Sequence, residues 1–276
     1  MAEVSELILL RPADMNLFRS RPSTLAGFLA LFALPLHGGW FEGETGTWTV
    51  APAFTSHYLD RGTELAEASF QPWIDYTIGP LSAGIWSSFA LEDPAYGDAD
   101  PEIDFYGFYT FRNERGTLSI VPGFYLYTYP DAKRRNGFYS ASFEPSLAAS
   151  FAVAGIQLTP KIYHDVTLKG ATYELTAALA LPLTSLGTEL DFSATVGTFK
   201  WDDVTADAAP AVKNWGDYWM VGVAVPVQVS LRSKLILALT YSEGRNNFFK
   251  QGTDPRERNE TARAKTAVSL TYAITL

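Results

Sequence analysis

The sequence predicts an all-β fold, a transmembrane up-and-down antiparallel β-barrel of about 12 strands. Three observations carry this. From residue 45 onward, large apolar residues alternate with small or polar ones at a period of two, the signature of strands whose side chains point to opposite faces. The alternating segments run to roughly 9–15 residues, where a globular strand has about 5–6 and a membrane-spanning strand about 9–11. The 276 residues are 14% aromatic but only 18% charged, against about 25% charged in a typical soluble domain.

The segments follow in order. Trp48, Val50, Phe54 and Tyr58 form one apolar face, with Thr47, Thr49, Ala51, Ala53, Thr55 and His57 between them. Phe70, Ile74, Tyr76 and Ile78 alternate with Glu67, Ser69, Gln71 and Asp75, and Leu81, Ala83, Ile85, Phe89 and Leu91 with Ser82, Gly84 and Ser88. Ile103, Phe105, Tyr109 and Phe111 alternate with Glu102, Asp104, Thr110 and Arg112. Leu118, Ile120, Phe124 and Leu126 face away from Ser119, Tyr125 and Tyr127. Tyr139, Phe143, Leu147 and Phe151 oppose Ser140, Ser142, Glu144, Ser146 and Ser150, and Ile156, Leu158 and Ile162 oppose Gln157, Thr159 and Lys161. Tyr173, Leu175, Leu179 and Leu181 lie opposite Thr172, Glu174 and Thr176, and Leu190, Phe192 and Val196 opposite Glu189, Asp191, Ser193 and Thr195. The last three apolar sets are Val221 to Val227 in steps of two, Leu235 to Tyr241 likewise, and Val268, Leu270, Tyr272 and Ile274. Against the final set stand Arg263, Lys265, Ser269, Thr271 and Thr275.

Short connectors at 79–80, 113–116, 154–155, 184–187 and 232–233 alternate with longer polar ones at 59–65, 92–101, 130–136, 202–217 and 244–260. The connector at 169–170 is short where a long one is expected. Short turns on one rim and long loops on the other is the arrangement of bacterial outer-membrane barrels. A sandwich also alternates, but its solvent face would carry more charge. In lipid every backbone polar group needs a partner, so the sheet must close.

Aromatics cluster near segment ends: Trp48, Tyr58, Tyr76, Tyr127, Tyr129, Tyr139, Trp201, Tyr218, Trp219, Tyr241 and Tyr272. They read as girdles at the two membrane interfaces. The final Leu276 stands where such barrels commonly end in an aromatic.

No apolar run reaches about 18 residues, so no transmembrane helix is expected. Residues 25–36 are apolar and follow Arg19 and Arg21, the pattern of a secretory signal peptide. The expected organisation is a signal peptide over 1–38, with Met15 as an alternative start, and a barrel domain over 45–276. The absence of cysteine excludes disulfides and thiolate metal sites. A net charge of −9 argues against nucleic acid as a partner.

Several pieces, in order, resemble the TorF family of small outer-membrane porins. They are Thr55-Ser56-His57-Tyr58-Leu59-Asp60-Arg61-Gly62, Ile74-Asp75-Tyr76, Gly84-Ile85-Trp86-Ser87-Ser88, Glu102-Ile103-Asp104-Phe105-Tyr106-Gly107, and Gly123-Phe124-Tyr125-Leu126-Tyr127-Thr128-Tyr129-Pro130. The resemblance spans about residues 48–150. It implies an outer-membrane location and a pore role, and carries over no catalytic residue.

The residues themselves point the same way. No phosphate loop, zinc motif or calcium loop occurs, so no cofactor or metal is expected. His57 and His164 are the histidines left beyond residue 38. His164 would face outward near the outer rim, and no serine around it completes a lipid hydrolase. Parity places on the lumen face the acids Glu67, Asp75, Glu102, Asp104, Glu144, Glu174, Glu189 and Asp191 and the bases Arg112, Lys161, Arg263 and Lys265. Rings of charge set ion preference in pores, and the acid excess favours cations. Eight strands are filled by side chains and sixteen leave a channel; at twelve, the reading is a narrow pore for small polar or ionic solutes. Its alternatives are an internal salt-bridge ladder that plugs the barrel, a non-conducting structural or partner-binding barrel acting through its outer loops 202–217 and 244–260, and an outer-membrane lipid hydrolase. The partners expected are outer-membrane lipid, small polar solutes and the barrel-assembly machinery.

Overall fold

Twelve antiparallel staves close into one barrel. The structure, a computed structural model, describes residues 45–92, 94, 100–132, 140–167, 169–201, 215–246 and 259–276. The expected signal peptide and Tyr139 lie outside the described residues. The first stave is β1 (Thr47–Ala51) and β2 (Ala53–Thr55); the second is β5 (Ser69–Phe70) and β6 (Trp73–Ile78). Pro52 and Pro72 stand at the two breaks, where a residue without an N–H cannot donate to the ladder. Then come β7 (Leu81–Ala90), β8 (Glu102–Tyr109) with β9 (Phe111–Arg112), β10 (Leu118–Thr128), β11 (Ala141–Val153) and β12 (Ile156–Asp165). The circuit ends with β13 (Gly170–Leu183), β14 (Thr188–Lys200), β15 (Trp215–Ser230), β16 (Ser233–Asn246) and β17 (Lys265–Thr275).

Each stave pairs with its sequence neighbour, and β17 returns to pair with β1 and β2. Trp48 and Leu276 exchange backbone hydrogen bonds of 3.3 and 2.8 Å at this seam. The predicted twelve segments and the observed staves correspond one to one. Strand β10 has 11 residues; at about 3.4 Å per residue and a tilt near 40° it rises roughly 28 Å, enough for an apolar band about 25 Å tall.

The apolar parity faces outward. Phe54, Phe143, Leu147, Leu175, Val196, Val221, Leu237, Leu239, Val268 and Leu270 are exposed around the barrel. A soluble protein does not leave such a belt in water; on a closed barrel it meets lipid. The protein is an integral outer-membrane barrel.

Outward aromatics form part of the expected girdles. Trp48 packs against Tyr76 on the short-turn side, and Trp219 against Tyr241 on the other, as tilted pairs with centroids 4.7 and 4.9 Å apart. The expectation is corrected for Tyr58, Tyr127, Tyr129, Trp201 and Tyr218. All five are buried inside the barrel: the four tyrosine hydroxyls donate to lumen acids while their rings pack, and Trp201 stacks on Phe199.

The connector at 59–65 is also corrected. It is not an outer loop but part of a hairpin folded into the barrel, β3 (Tyr58–Asp60) against β4 (Thr63–Ala66). The first stave therefore ends at Thr55 rather than Tyr58. Ser56 makes the last wall contact: its N–H donates to Val268 O and its hydroxyl accepts from Val268 N, both at 2.9 Å.

Candidate functional site

The hairpin turns on Arg61 and Gly62, with φ of +41° and +77°, the double left-handed turn that matches strand twist. Glycine tolerates this conformation; arginine does so at a cost of about 1–3 kcal/mol. What arginine gains there is its partner. Its Nη1 and Nη2 donate to the two oxygens of Glu144 on β11 at 3.1 and 2.8 Å, and its guanidinium lies 4.6 Å from the Tyr163 ring centroid. Arg61 is 1% exposed and Glu144 0%. Such a pair is stable only with matched geometry, and Tyr127 completes it by donating to Glu144 at 2.6 Å.

Gly62 is required by space as well. A Cβ there would sit 2.5 Å from Tyr218 Cβ and 2.7 Å from Gly244 Cα. The hairpin tip thus lies directly on β15 and β16. Its base is fastened by Glu64, which accepts from Lys265 at 2.8 Å and pairs with His57 Nδ1 at 2.6 Å. Residues 58–66 are all buried.

Around the hairpin, tyrosines hold the lumen acids. Tyr58 and Tyr129 donate to Glu102 at 3.1 and 2.6 Å. Tyr163 donates to Glu174 at 2.5 Å, and Tyr218 donates to its other oxygen. Tyr106 donates to Asp75 at 2.6 Å. Asp104 accepts from the Thr128 backbone N–H at 3.3 Å. The rings, with Trp86, Phe199 and Trp201, form an apolar cluster inside the outer half of the barrel. Tyr58 and Trp86 join hairpin to wall, with centroids 5.3 Å apart.

The short-turn half differs. Its lumen face carries Thr176, Ser193, Thr195, Ser269 and Thr271, all half-buried rather than sealed. Lys161 stands between the halves, bonded to Tyr125 Oη at 2.9 Å with its ammonium 4.3 Å from the Tyr163 ring centroid.

The residues expected on the lumen therefore divide. Glu102, Asp104, Glu144, Lys161 and Glu174 are gathered around the hairpin, Lys265 ties it to β17, and Asp75 is held by Tyr106 toward the short-turn end of β6. Glu189 and Asp191 sit apart, on β14 near the short-turn rim. Arg112 keeps lumen parity but is exposed at that rim. Glu67 and Arg263 are corrected: both lie outside the strands and are exposed, and Arg263 pairs with Glu260 at 2.5 Å. In each the alternation runs on past the true strand end. His164 faces outward on β12, opposite Ala171.

The functional residues that alternation missed are Arg61 and Gly62. The glycine at 62, in a short polar run between Leu59 and Leu65, is a turn signal, but only the fold shows that the chain makes a hairpin there and that it turns inward.

No curated protein matches the sequence. Among solved structures, the NanC porin is 9% identical, covers 83% of this chain and 100% of its own, and superposes with a TM-score of 0.50. The KdgM porin is 9% identical over 83% of this chain and 98% of its own, with a TM-score of 0.46. The likeness to NanC is one of fold, a closed antiparallel β-barrel. A sequence family described as "Bacterial protein of unknown function (Gcw_chp)" matches residues 43–252, from before β1 to beyond β16, and the chain belongs to that family.

Proposed function

We propose that the protein is a narrow porin-like channel for small polar or ionic solutes, constricted by its own inward hairpin. One observation carries the reading: the lumen has two zones. The short-turn half is a wall of half-buried Thr and Ser, which suits a wet lumen, while the outer half is narrowed by residues 58–66. A barrel of twelve strands is wider than its side chains fill, and the hairpin occupies that excess. The resemblance of residues 48–150 to the TorF porins supports the same role.

On this reading the barrel is inserted by the assembly machinery into outer-membrane lipid, after removal of a signal peptide within residues 1–38. The lumen acids around the hairpin, expected to set an ion preference, already have partners. Glu102, Glu144 and Glu174 are each engaged by two hydrogen-bonding side chains, so they serve the hairpin before they serve a passing ion.

A second reading is a non-conducting barrel with a permanent plug. The complete burial of residues 58–66 favours it. Planar-bilayer recording of the pure folded protein separates the two. The channel reading expects small, uniform conductance steps, and liposome swelling only with small sugars. A silent, correctly folded protein refutes it in favour of the plug.

A further inference from the structure

The lumen acids on β6, β8, β11 and β13 all have donors. Asp191 does not. It is 7% exposed, and neither carboxylate oxygen has a hydrogen-bond partner. Its parity points it into the lumen, since Phe192 beside it is exposed on the lipid side. Its cross-strand neighbours are Ala180 on β13 and Ala224 on β15, and neither side chain can donate. Glu189 follows on the same face, one strand step nearer the rim, and Lys234 on β16 is close enough to act on the charge without forming an ion pair. A buried carboxylate without a donor is costly unless something balances it.

We infer that Asp191, with Glu189 beside it, is a binding site for a small monovalent cation in the short-turn half of the lumen. The donor set fits that class and not a divalent one. Calcium takes about six to eight oxygens, and among the described residues no group of three or more His, Cys, Asp or Glu could hold a metal. One carboxylate whose two oxygens lie beneath the lumen surface, with a second beside it, suits an ion that sheds most of its hydration shell to reach them. Asp191 lies three residues into β14, about 10 Å from the strand end, so an ion entering from the short-turn mouth meets it before the hairpin. The consequence for permeation, a preference for cations set here, rests on the channel reading; the binding itself does not.

The test uses the full-length folded protein and the variants Asp191→Asn and Glu189→Gln. Each is melted in potassium chloride and in N-methylglucamine chloride at equal ionic strength. The wild type is expected to melt higher in potassium, Asp191→Asn equally in both, and Glu189→Gln in between. Equal melting of the wild type in both salts, or a potassium gain that survives in Asp191→Asn, overturns the site. The same proteins are then recorded in bilayers under a potassium chloride gradient. The wild-type potassium-over-chloride preference should fall severalfold in Asp191→Asn. An unchanged preference overturns the selectivity role. A wild type without conductance refutes the channel reading, while the melting comparison still decides the binding site.

Discussion

Replacing Arg61 with alanine should release the hairpin from the lumen. The change removes both bonds to Glu144 and the contact with the Tyr163 ring. It leaves a fully buried carboxylate bonded, among the contacts above, only by Tyr127. Removing one partner of a buried ion pair costs about 3–5 kcal/mol, because the other charge stays desolvated. At about 1.4 kcal/mol per tenfold, the docked-to-released ratio of the hairpin falls by two to nearly four orders of magnitude. Relief of the left-handed arginine backbone offsets little, since alanine dislikes a positive φ equally. The chain has no cysteine, so a single Thr63→Cys on β4 reports directly. In proteoliposomes, a polar thiol reagent should label it slowly in the parent and at least about a hundredfold faster with Arg61→Ala. The double change Arg61→Ala/Glu144→Ala should recover much of the protection, as removing both charges leaves no unpaired one. Equal labelling rates in the parent and in Arg61→Ala, with the barrel intact, would refute the reasoning.

Other consequences follow from the same contacts. Gly244→Val puts a side chain where a Cβ would lie 2.5 Å from Gly62 O, so it should raise Thr63→Cys labelling without unfolding the barrel, as judged by heat-modifiable gel mobility. Leu239→Arg places a charge on the outward belt and should lower folding stability by about 2–4 kcal/mol if it lies at mid-bilayer, measured by urea titration in vesicles. Glu174→Gln keeps a carbonyl oxygen for one of Tyr163 and Tyr218, sets an amide NH2 against the other hydroxyl, and removes the charge that strengthens both bonds; a loss of about 1–3 kcal/mol is expected in the same titration. Lys265→Ala frees one oxygen of Glu64 at the base of the hairpin, where Lys265 is one-third exposed; its effect should be about 1 kcal/mol or less and should shrink with added salt.

Most of the barrel is legible in the sequence, for a physical reason. A strand in lipid has one apolar face and one lumen face, so the period of two is unbroken over its whole length. That periodicity assigns Glu102, Asp104, Glu144 and Glu174 to one face, and all four side chains are buried. It fails at strand ends. Glu67 and Arg263 continue the alternation by chance beyond the last paired residue, and both end up exposed. Tyr127 and Tyr218 mislead in another way: an aromatic near a strand end suits an interface girdle as well as a lumen, and only the position of an acid partner decides. The hairpin is the largest omission. Its polar tip, Asp60-Arg61-Gly62, reads as a solvent loop, because the charge that draws it inward, Glu144, lies 83 residues away in the chain.

The most direct measurement compares unit conductance in the same bilayer for the wild type and for a variant in which residues 57–68 are replaced by a flexible Gly-Ser linker. A lumen constricted by its own hairpin predicts small steps in the wild type and steps several times larger in the variant. Identical steps in both proteins, or none in either, would contradict the account.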